Sequence, residues 1–435
     1  MKISVIGCGY LGAVHAASMA KLGHEVVAVD VDPVKIERLA AGDAPFFEPG
    51  LPEILSEAIA SGRIRFTTDV AEVAGSRVHF VAVGTPQGPT GAADVTYVDA
   101  AVAALVPHLS AGDVVAGKST VPVGTAARLA ASVSQAVPGA TLVWNPEFLR
   151  EGFAVKDTVS PDRLVYGVPS GPDGQAAVDA LDEVYATTIA AGTPRLVVDL
   201  ATAELVKVSA NAFLATKISF INAMAEIAEV VGADVTALAD AIGHDERIGR
   251  KFLNAGLGFG GGCLPKDIRA FQARATELGV GESLDFLADV DAINLRRRAH
   301  VVTLAQELLD GDVTGKRVGV LGLAFKPNSD DVRDSPALDI AARLHELGAV
   351  VSAYDPEANG TAARIRPELT YVDSATQAVQ DADLVLVLTE WSEFRTLDPA
   401  TVADLVARPV VVDGRNCLDR DAWTAAGFTV RGMGR

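Results

Sequence analysis

Cys263 stands in the run Gly258-Phe-Gly260-Gly-Gly262-Cys263-Leu264-Pro265-Lys266-Asp267, a lone thiol among glycines with a carboxylate four residues beyond it. A cysteine acts as a nucleophile in its thiolate form. Pro265 suits the first turn of a helix, where its missing N–H would have no partner anyway. Cys263 would then sit just before a helix N-terminus with Lys266 close by, and both the dipole and the cation favour thiolate. The glycines would let the backbone approach a bound molecule closely. The plainer alternative is a small buried cysteine in a Gly-rich turn, the usual place of a free thiol.

A second set of chemistry-bearing residues opens the chain. The apolar run 2–6 leads into Gly7-Cys-Gly9-Tyr10-Leu11-Gly12, followed by an apolar-periodic stretch, then Gly23 and a second strand-like run ending at Asp30. The first run is too short for a signal sequence. Strand, glycine turn, helix, strand and acid together form the context a dinucleotide site needs. Gly7 would make the tight turn, Gly9 admit the pyrophosphate, and Gly12 let helix and strand pack closely. The helix N-terminus offers free N–H groups to phosphate. Asp30 is placed to hold ribose hydroxyls and would repel a 2′-phosphate, which favours NAD over NADP. A generic α/β turn is the competing reading.

The elements that must position these groups follow from the hydrophobic pattern. Through residue 199, short β-rich runs (78–83, 113–118 and 141–144) alternate with Ala-rich helical stretches, so a parallel sheet covered by helices is expected. Polar residues fall where those strands end: Gly84-Thr85-Pro86, Lys118-Ser-Thr120 and 145–151. Ligands bind at the carboxyl ends of strands in such sheets, although Gly-Thr-Pro and Asn-Pro also simply punctuate turns. Residues 201–231 contain neither proline nor glycine, which predicts one long helix. Glu204, Lys207, Asn211, Leu214 and Ile218 share a face of it. Lys207 and Asn211 would line a wet or ligand-filled cavity, since burying a lone ammonium is costly; a solvated stripe is the alternative. From Gly315 a second alternating block begins, with strands at 316–322, 350–355, 383–389 and 409–415 and a helix over 335–347. Its first turn lacks the dinucleotide glycines. Lys326, Arg333 and Arg415 lie near its strand ends, which would suit phosphates, with surface solvation as the ordinary alternative.

The expected fold is therefore α/β, with two Rossmann-like doubly wound domains joined by a long central helix and a helical linker domain. The predicted segments are 1–199, 200–306 and 307–435. A helix so long and apolar also suits a dimer interface, making a second copy of the chain, as homodimer or higher homo-oligomer, an expected partner.

Composition narrows the function classes. A net charge of −19 argues against nucleic acid or an anionic membrane surface as partner. No apolar run reaches the length of a spanning helix; 210–231 comes nearest and is interrupted by Lys217, Glu226 and Glu229. Cys8, Cys263 and Cys417 are few, odd in number and without metal spacing, which fits a reducing cytoplasm and no disulfide framework. The histidines form no His-x-x-x-His pair, and no metal is expected.

Along the chain come the glycine turn, Lys118-Ser-Thr120-Val-Pro-Val-Gly124, Asn145-Pro-Glu147-Phe148-Leu149-Arg150-Glu151-Gly152, and Glu204-Leu-Val-Lys207 with Asn211. Arg247-Ile-Gly249, the cysteine loop, Phe325-Lys326 with Arg333-Asp-Ser335, and Asp413-Gly-Arg415 complete the series. In this order, over essentially the whole chain, they resemble the nucleotide-sugar 6-dehydrogenases, the UDP-glucose/GDP-mannose dehydrogenase family. Two departures are visible: Gly262 where that family commonly has serine, and Leu264 where it commonly has phenylalanine.

The resemblance implies a four-electron oxidation of UDP-glucose to UDP-glucuronate with two NAD used in succession. It implies that Lys207 stabilises an oxyanion and that Cys263 captures the aldehyde as a thiohemiacetal, which is oxidised to a thioester. Asp267, with Thr120, Glu147 and Asn211, would hold or activate the water that cleaves it. NAD contacts are expected from Gly7, Gly9, Tyr10, Leu11, Gly12, Asp30, Lys35, Thr85, Thr120, Glu151, Lys266 and Arg333. Sugar-nucleotide contacts are expected from Glu147, Phe148, Leu149, Arg150, Glu151, Lys207 and Asn211. Phe252, Leu253, Asn254, Ala255, Gly256, Gly260 and Lys326 join them. Arg247 and Arg415 would reach phosphate or uridine, one of them from a neighbouring subunit. GDP-mannose oxidation by the same chemistry is the alternative within the family, although the stretch 211–222 is more like the UDP-glucose branch. A non-catalytic NAD-binding sensor and a two-electron dehydrogenase of the 6-phosphogluconate type are the readings outside it; the latter needs no Cys263.

Overall fold

Valine, isoleucine and leucine fill the central strands, which are buried on both faces, as parallel strands covered by helices must be. The structure, a computed structural model, describes residues 1–435. It divides into two compact units, Met1–Ala210 with Ala273–Gly281, and Asn211–Gln272 with Glu282–Arg435.

The first unit is built on an eight-stranded sheet. Its strands are β1 (Lys2–Ile6), β2 (Glu25–Val29), β3 (Ile64–Thr67), β4 (Val78–Val81), β5 (Val114–Gly117), β6 (Thr141–Trp144), β7 (Leu164–Gly167) and β8 (Arg195–Val198). Their order is β3-β2-β1-β4-β5-β6-β7-β8, and only β6 and β7 run antiparallel. The chain reverses direction across the sheet between β1 and β4. There Ile6 lies in register with both Val29 and Val81, which brings the ends of β1, β2 and β4 to one edge. A crevice at that switch point is where such sheets take ligands. One face of the sheet packs Ile3, Val5, Phe80 and Tyr166 against helices that contribute Val14, Met19, Leu55 and Leu181. The other packs Val27, Val81 and Trp144 against Val102, Leu129 and Val133.

The second unit carries a six-stranded, all-parallel sheet. Its strands are β9 (Arg317–Leu321), β10 (Val350–Tyr354), β11 (Thr370–Tyr371), β12 (Leu384–Val387), β13 (Val410–Asp413) and β14 (Thr429–Gly432), in the order β11-β10-β9-β12-β13-β14. Its switch point falls between β9 and β12, and one continuous apolar core surrounds it. Three long helices belong to the middle of the chain: Leu200–Val231, Leu264–Glu277 and Phe286–Leu308. The first runs for 32 residues, as the absence of proline and glycine predicted, and the boundary between the units falls within it after Ala210. No helix is long and apolar enough to cross a membrane.

Candidate active site

The glycine turn follows β1. Gly7 has φ +93°, a conformation that residues with side chains rarely adopt, and a Cβ there would lie 2.7 Å from Val83 Cγ1. A Cβ on Gly12 would lie 1.7 Å from Gly7 O, so the first turn of helix Tyr10–Lys21 can rest on the loop only without one. Gly9, at the N-cap, is different: a Cβ there meets nothing within 4 Å and no side chain caps the helix. Open space in front of uncapped N–H groups is a cradle of the kind that suits a pyrophosphate.

Asp30 follows β2. Its Oδ2 accepts from Cys8 N at 2.7 Å and Lys35 Nζ at 2.9 Å, and its Oδ1 from Asp32 N at 3.0 Å. Burial raises its pKa, but the Lys35, Asp32 and Cys8 hydrogen bonds outweigh it and hold the carboxyl below its usual range. Lys35 is brought there by helix Pro33–Ala40, which Asp32 caps through Val34 N and Lys35 N. An anionic Asp30 with lone pairs to spare can accept ribose hydroxyls and opposes a phosphate. The residues present fit NAD.

Tyr10 and Leu11 open the helix. Tyr10 donates its hydroxyl to Glu48, a residue with no sequence signal that is 2% exposed. Glu48 also accepts from Gly152 N at 2.6 Å and Ala154 N at 2.7 Å, fastening the end of the 145–152 loop to the glycine turn. Glu151 lies in that fastened stretch and is 9% exposed. Thr85 and Thr120 stand past the ends of adjacent strands β4 and β5, whose loops are tied by Ser119 Oγ donating to Val83 O at 2.6 Å.

Glu147 and Lys207 come together. Lys207 Nζ lies 2.9 Å from Glu147 Oε1, with side-chain exposures of 8% and 14%. Lys207 is thus a paired, buried cation rather than part of a solvated stripe. Glu147 Oε2 accepts from Leu149 N at 2.7 Å, which sets the loop's curl. Phe148 lies beneath two cations, Arg163 at 3.8 Å and Lys207 at 5.7 Å from its ring centre. Arg150 is directed elsewhere, in a bidentate pair with Asp157 at 2.8 Å for each nitrogen. Beneath the loop Lys118 is buried, donating to Asn145 O at 3.2 Å, Asn145 Oδ1 at 3.0 Å and Tyr185 Oη at 3.3 Å. Burial lowers its pKa to about 8, against the pull of Glu147 and with the help of Lys207.

In the second unit Cys263 immediately precedes helix Leu264–Glu277, whose second residue is Pro265. Its thiol is exposed and in no disulfide. The Gly-rich turn therefore presents the cysteine rather than burying it. Asp267 N bonds back to Cys263 O at 2.9 Å, closing the helix's first turn. The Asp267 carboxylate is 3% exposed and doubly held, by Asn211 Nδ2 at 2.7 Å and Lys266 Nζ at 2.6 Å.

The glycines of this loop face other parts of the same unit. A Cβ on Gly260 would meet Asp334 O at 2.3 Å, one on Gly261 (φ +83°) the Phe325 ring at 2.8 Å, and one on Gly262 the Arg333 guanidinium at 2.4 Å. Gly256 approaches Gly414 O, at 2.9 Å from a Cβ. Arg415 Nη1 donates to Gly258 O at 3.0 Å, Nε to Leu388 O at 2.9 Å and Nη2 to Phe325 O at 3.1 Å. Three of its five N–H groups are thus spent on the fold, leaving two for a ligand. The Phe325-Lys326, Arg333-Asp-Ser335 and Asp413-Gly-Arg415 motifs therefore meet as the walls of the cysteine loop. Lys326 lies over the Phe325 ring at 5.2 Å.

Of the 252–256 stretch, Phe252 holds φ +68°, unusual for a bulky residue, and Asn254 Oδ1 accepts from Arg250 at 2.7 Å. Leu253 and Ala255 are buried in a small apolar cluster with Ile221 and Val235, so only their backbones can serve a ligand. Arg247 stands apart: its side chain is 88% exposed and pairs with Asp245 in its own turn. The six candidate catalytic residues divide evenly, with Thr120, Glu147 and Lys207 in the first unit and Asn211, Cys263 and Asp267 in the second.

A dinucleotide turn on one doubly wound domain and a second such domain without it define a nucleotide-dependent dehydrogenase acting on a second nucleotide-bearing substrate. The chain belongs to the UDP-glucose/GDP-mannose dehydrogenase family, whose NAD binding domain matches residues 1–189, central domain 201–296 and UDP binding domain 319–420. It is 43% identical over 439 residues to UDP-glucose 6-dehydrogenase TuaD of Bacillus subtilis, covering 100% of this chain and 93% of that one. It is 42% identical to the UDP-glucose 6-dehydrogenase of Rhizobium meliloti, covering 100% of each. A UDP-glucose dehydrogenase structure from Pyrobaculum islandicum superposes with a TM-score of 0.90 at 39% identity, over 100% of this chain and 97% of that one. A GDP-mannose dehydrogenase from Pseudomonas aeruginosa superposes at 0.54 and 28% identity, over 100% of each chain.

Proposed function

We propose that the protein oxidises UDP-glucose to UDP-glucuronate at the expense of two NAD, through covalent intermediates on Cys263. The observation that carries this reading is the exposed Cys263 at the start of a helix, one turn from the buried Asn211–Asp267 pair. An enzyme that only made an aldehyde would need neither. UDP-glucose is favoured over GDP-mannose because the chain is similar over its whole length to UDP-glucose 6-dehydrogenases.

NAD, when bound at the glycine turn, accepts a hydride in each of the two oxidations. Asp30 orients the ribose, and the first-turn N–H groups hold the pyrophosphate. As the sugar's primary hydroxyl gives up its hydride to NAD and its proton through water to bulk solvent, Lys207 stabilises the oxygen's developing charge as a buried cation fixed by Glu147. The Cys263 thiolate adds to the aldehyde carbon, forming a C–S bond and a thiohemiacetal, and the second oxidation turns this into a thioester. Water then attacks the same carbon and the C–S bond breaks: one proton of the water goes to the carboxylate that activates it, the other to the leaving sulfur, so the product departs as carboxylate and Cys263 is regenerated as its thiol. Asp267, steadied by Asn211 and Lys266, takes the water's proton, and Thr120 and Glu147 are proposed to serve the same step. The remaining cofactor and sugar-nucleotide contacts stand as assigned from the motifs.

The reaction is assigned to the cytoplasm, which suits three cysteines that form no disulfide. A homodimer through the long helix is supported by Phe213, Phe220 and Ile227, seven residues apart and 66%, 49% and 55% exposed. The covalent route is tested with Cys263→Ala. That variant should bind UDP-glucose and NAD as the native protein does yet form no UDP-glucuronate; normal acid formation would sink the route.

A further inference from the structure

Residues 252–262 form no regular structure, so the buried backbone groups among them need partners from elsewhere. Two grips supply them. Asn294, on helix Phe286–Leu308, holds the Phe259 peptide from both sides: its Oδ1 accepts from Phe259 N at 2.6 Å and its Nδ2 donates to Phe259 O at 2.9 Å. Arg298, one turn further along, donates Nη2 to Phe259 O at 3.4 Å and to Asp334 Oδ1 at 2.8 Å. Three residues before Phe259, Gly256 is held in the same manner by two other side chains. Asn222 Oδ1 accepts from Gly256 N at 2.9 Å, and Arg297 Nε donates to Gly256 O at 3.3 Å.

Asn222, Asn294 and Arg297 are all 0% exposed. Gly258, between the two grips, has φ +102°, and a Cβ on it would lie 2.6 Å from Asn294 Oδ1, so the glycine is there for the grip. The segment on either side does different work in the proposed reaction. Residues 252–256 lead into the first grip, and Cys263 lies four residues beyond the second.

We propose that the two grips are positioning devices with separable consequences: Asn294 fixes the reach of Cys263, and Asn222 with Arg297 fixes the sugar-nucleotide segment at 252–256. This rests on the function proposed above. Capture of the aldehyde competes with its escape, so a cysteine loop that wanders should leak aldehyde. A loosened 252–256 segment should weaken binding and leave capture intact.

The test uses the full-length protein and the variants Asn294→Ala and Asn222→Ala, with NADH, UDP-glucuronate and hydroxylamine-trapped aldehyde counted in one reaction. Native protein should give two NADH per acid and no oxime. Asn294→Ala should exceed that ratio, each extra NADH matched by one oxime, with its Kd for UDP little changed. Asn222→Ala should keep the ratio and raise the Kd for UDP about tenfold, the loss of roughly one buried hydrogen bond. These are ratios and affinities, so partial misfolding does not mimic them. Asn294→Asp, which keeps the acceptor and the volume, should leak less than Asn294→Ala. An unchanged ratio in Asn294→Ala, or leakage and weak UDP binding together in both variants, would overturn the proposal. A native protein that forms no NADH from UDP-glucose would instead remove the reading beneath it.

Discussion

Lys207 and Glu147 neutralise each other at 2.9 Å with little water around them, so neither can be removed without stranding the other. Glu147→Gln should destabilise the fold by about 3–5 kcal/mol in urea denaturation, the cost of a buried charge left unpaired. Lys207→Met should lower kcat about 100- to 1,000-fold by removing a preorganised charge, with the KM for UDP-glucose changed far less. A KM effect alone would mean that Lys207 only binds substrate. Lys118 is the other buried ammonium, and its pKa is lowered from 10.5 to about 8. Between those values the unfolded chain holds a proton that the folded chain has lost, so this residue makes stability rise with pH. From pH 7.5 to 9.5 the native protein should gain about 2 kcal/mol relative to Lys118→Met, as measured by urea unfolding at each pH. A flat difference would show that Lys118 is not desolvated.

At the scale of elements, the loops are fastened by side chains that reach backbone N–H groups. Glu204, on the long helix, accepts from Gly124 N at 2.8 Å and Ala126 N at 2.7 Å, capping helix Thr125–Ala136 and bracing the loop that bears Thr120. Glu204→Ala should cost about 1–3 kcal/mol, since two buried donors lose their acceptor; no change in the unfolding midpoint would refute the brace. Glu204 could be picked out on its helix face in the sequence, and nine of the fourteen strands, the glycine turn and the 32-residue helix were legible from periodicity and punctuation, whereas the short strands β3, β7, β8, β11 and β14 were not. The fastenings were not. Glu48, Asn222 and Asn294 act on backbone 104, 34 and 35 residues away, and local pattern carries no trace of such pairings. The cysteine loop shows the same limit. Its glycines read as room for a ligand, but Gly258, Gly260, Gly261 and Gly262 make room for Asn294, Asp334, Phe325 and Arg333. The departure at Gly262 has a physical counterpart, because the Arg333 guanidinium occupies the space a side chain there would take.

For the whole molecule, a net charge of −19 leaves association to apolar surface rather than to attraction between copies. The stripe of Phe213, Phe220 and Ile227 on the long helix is the surface proposed for it. Phe213→Glu with Phe220→Glu should convert a dimer to monomer in analytical ultracentrifugation, and an unchanged sedimentation coefficient would move the interface elsewhere. Two doubly wound domains, one with the dinucleotide turn and one without, make sense only if two different nucleotides are bound. The exposed Cys263 supplies the nucleophile that the proposed oxidation past the aldehyde requires. Both ideas meet in one count, the NADH formed when UDP-glucose is supplied in limiting amount with excess NAD. The account predicts two NADH for each UDP-glucose consumed; one, or none, would contradict it.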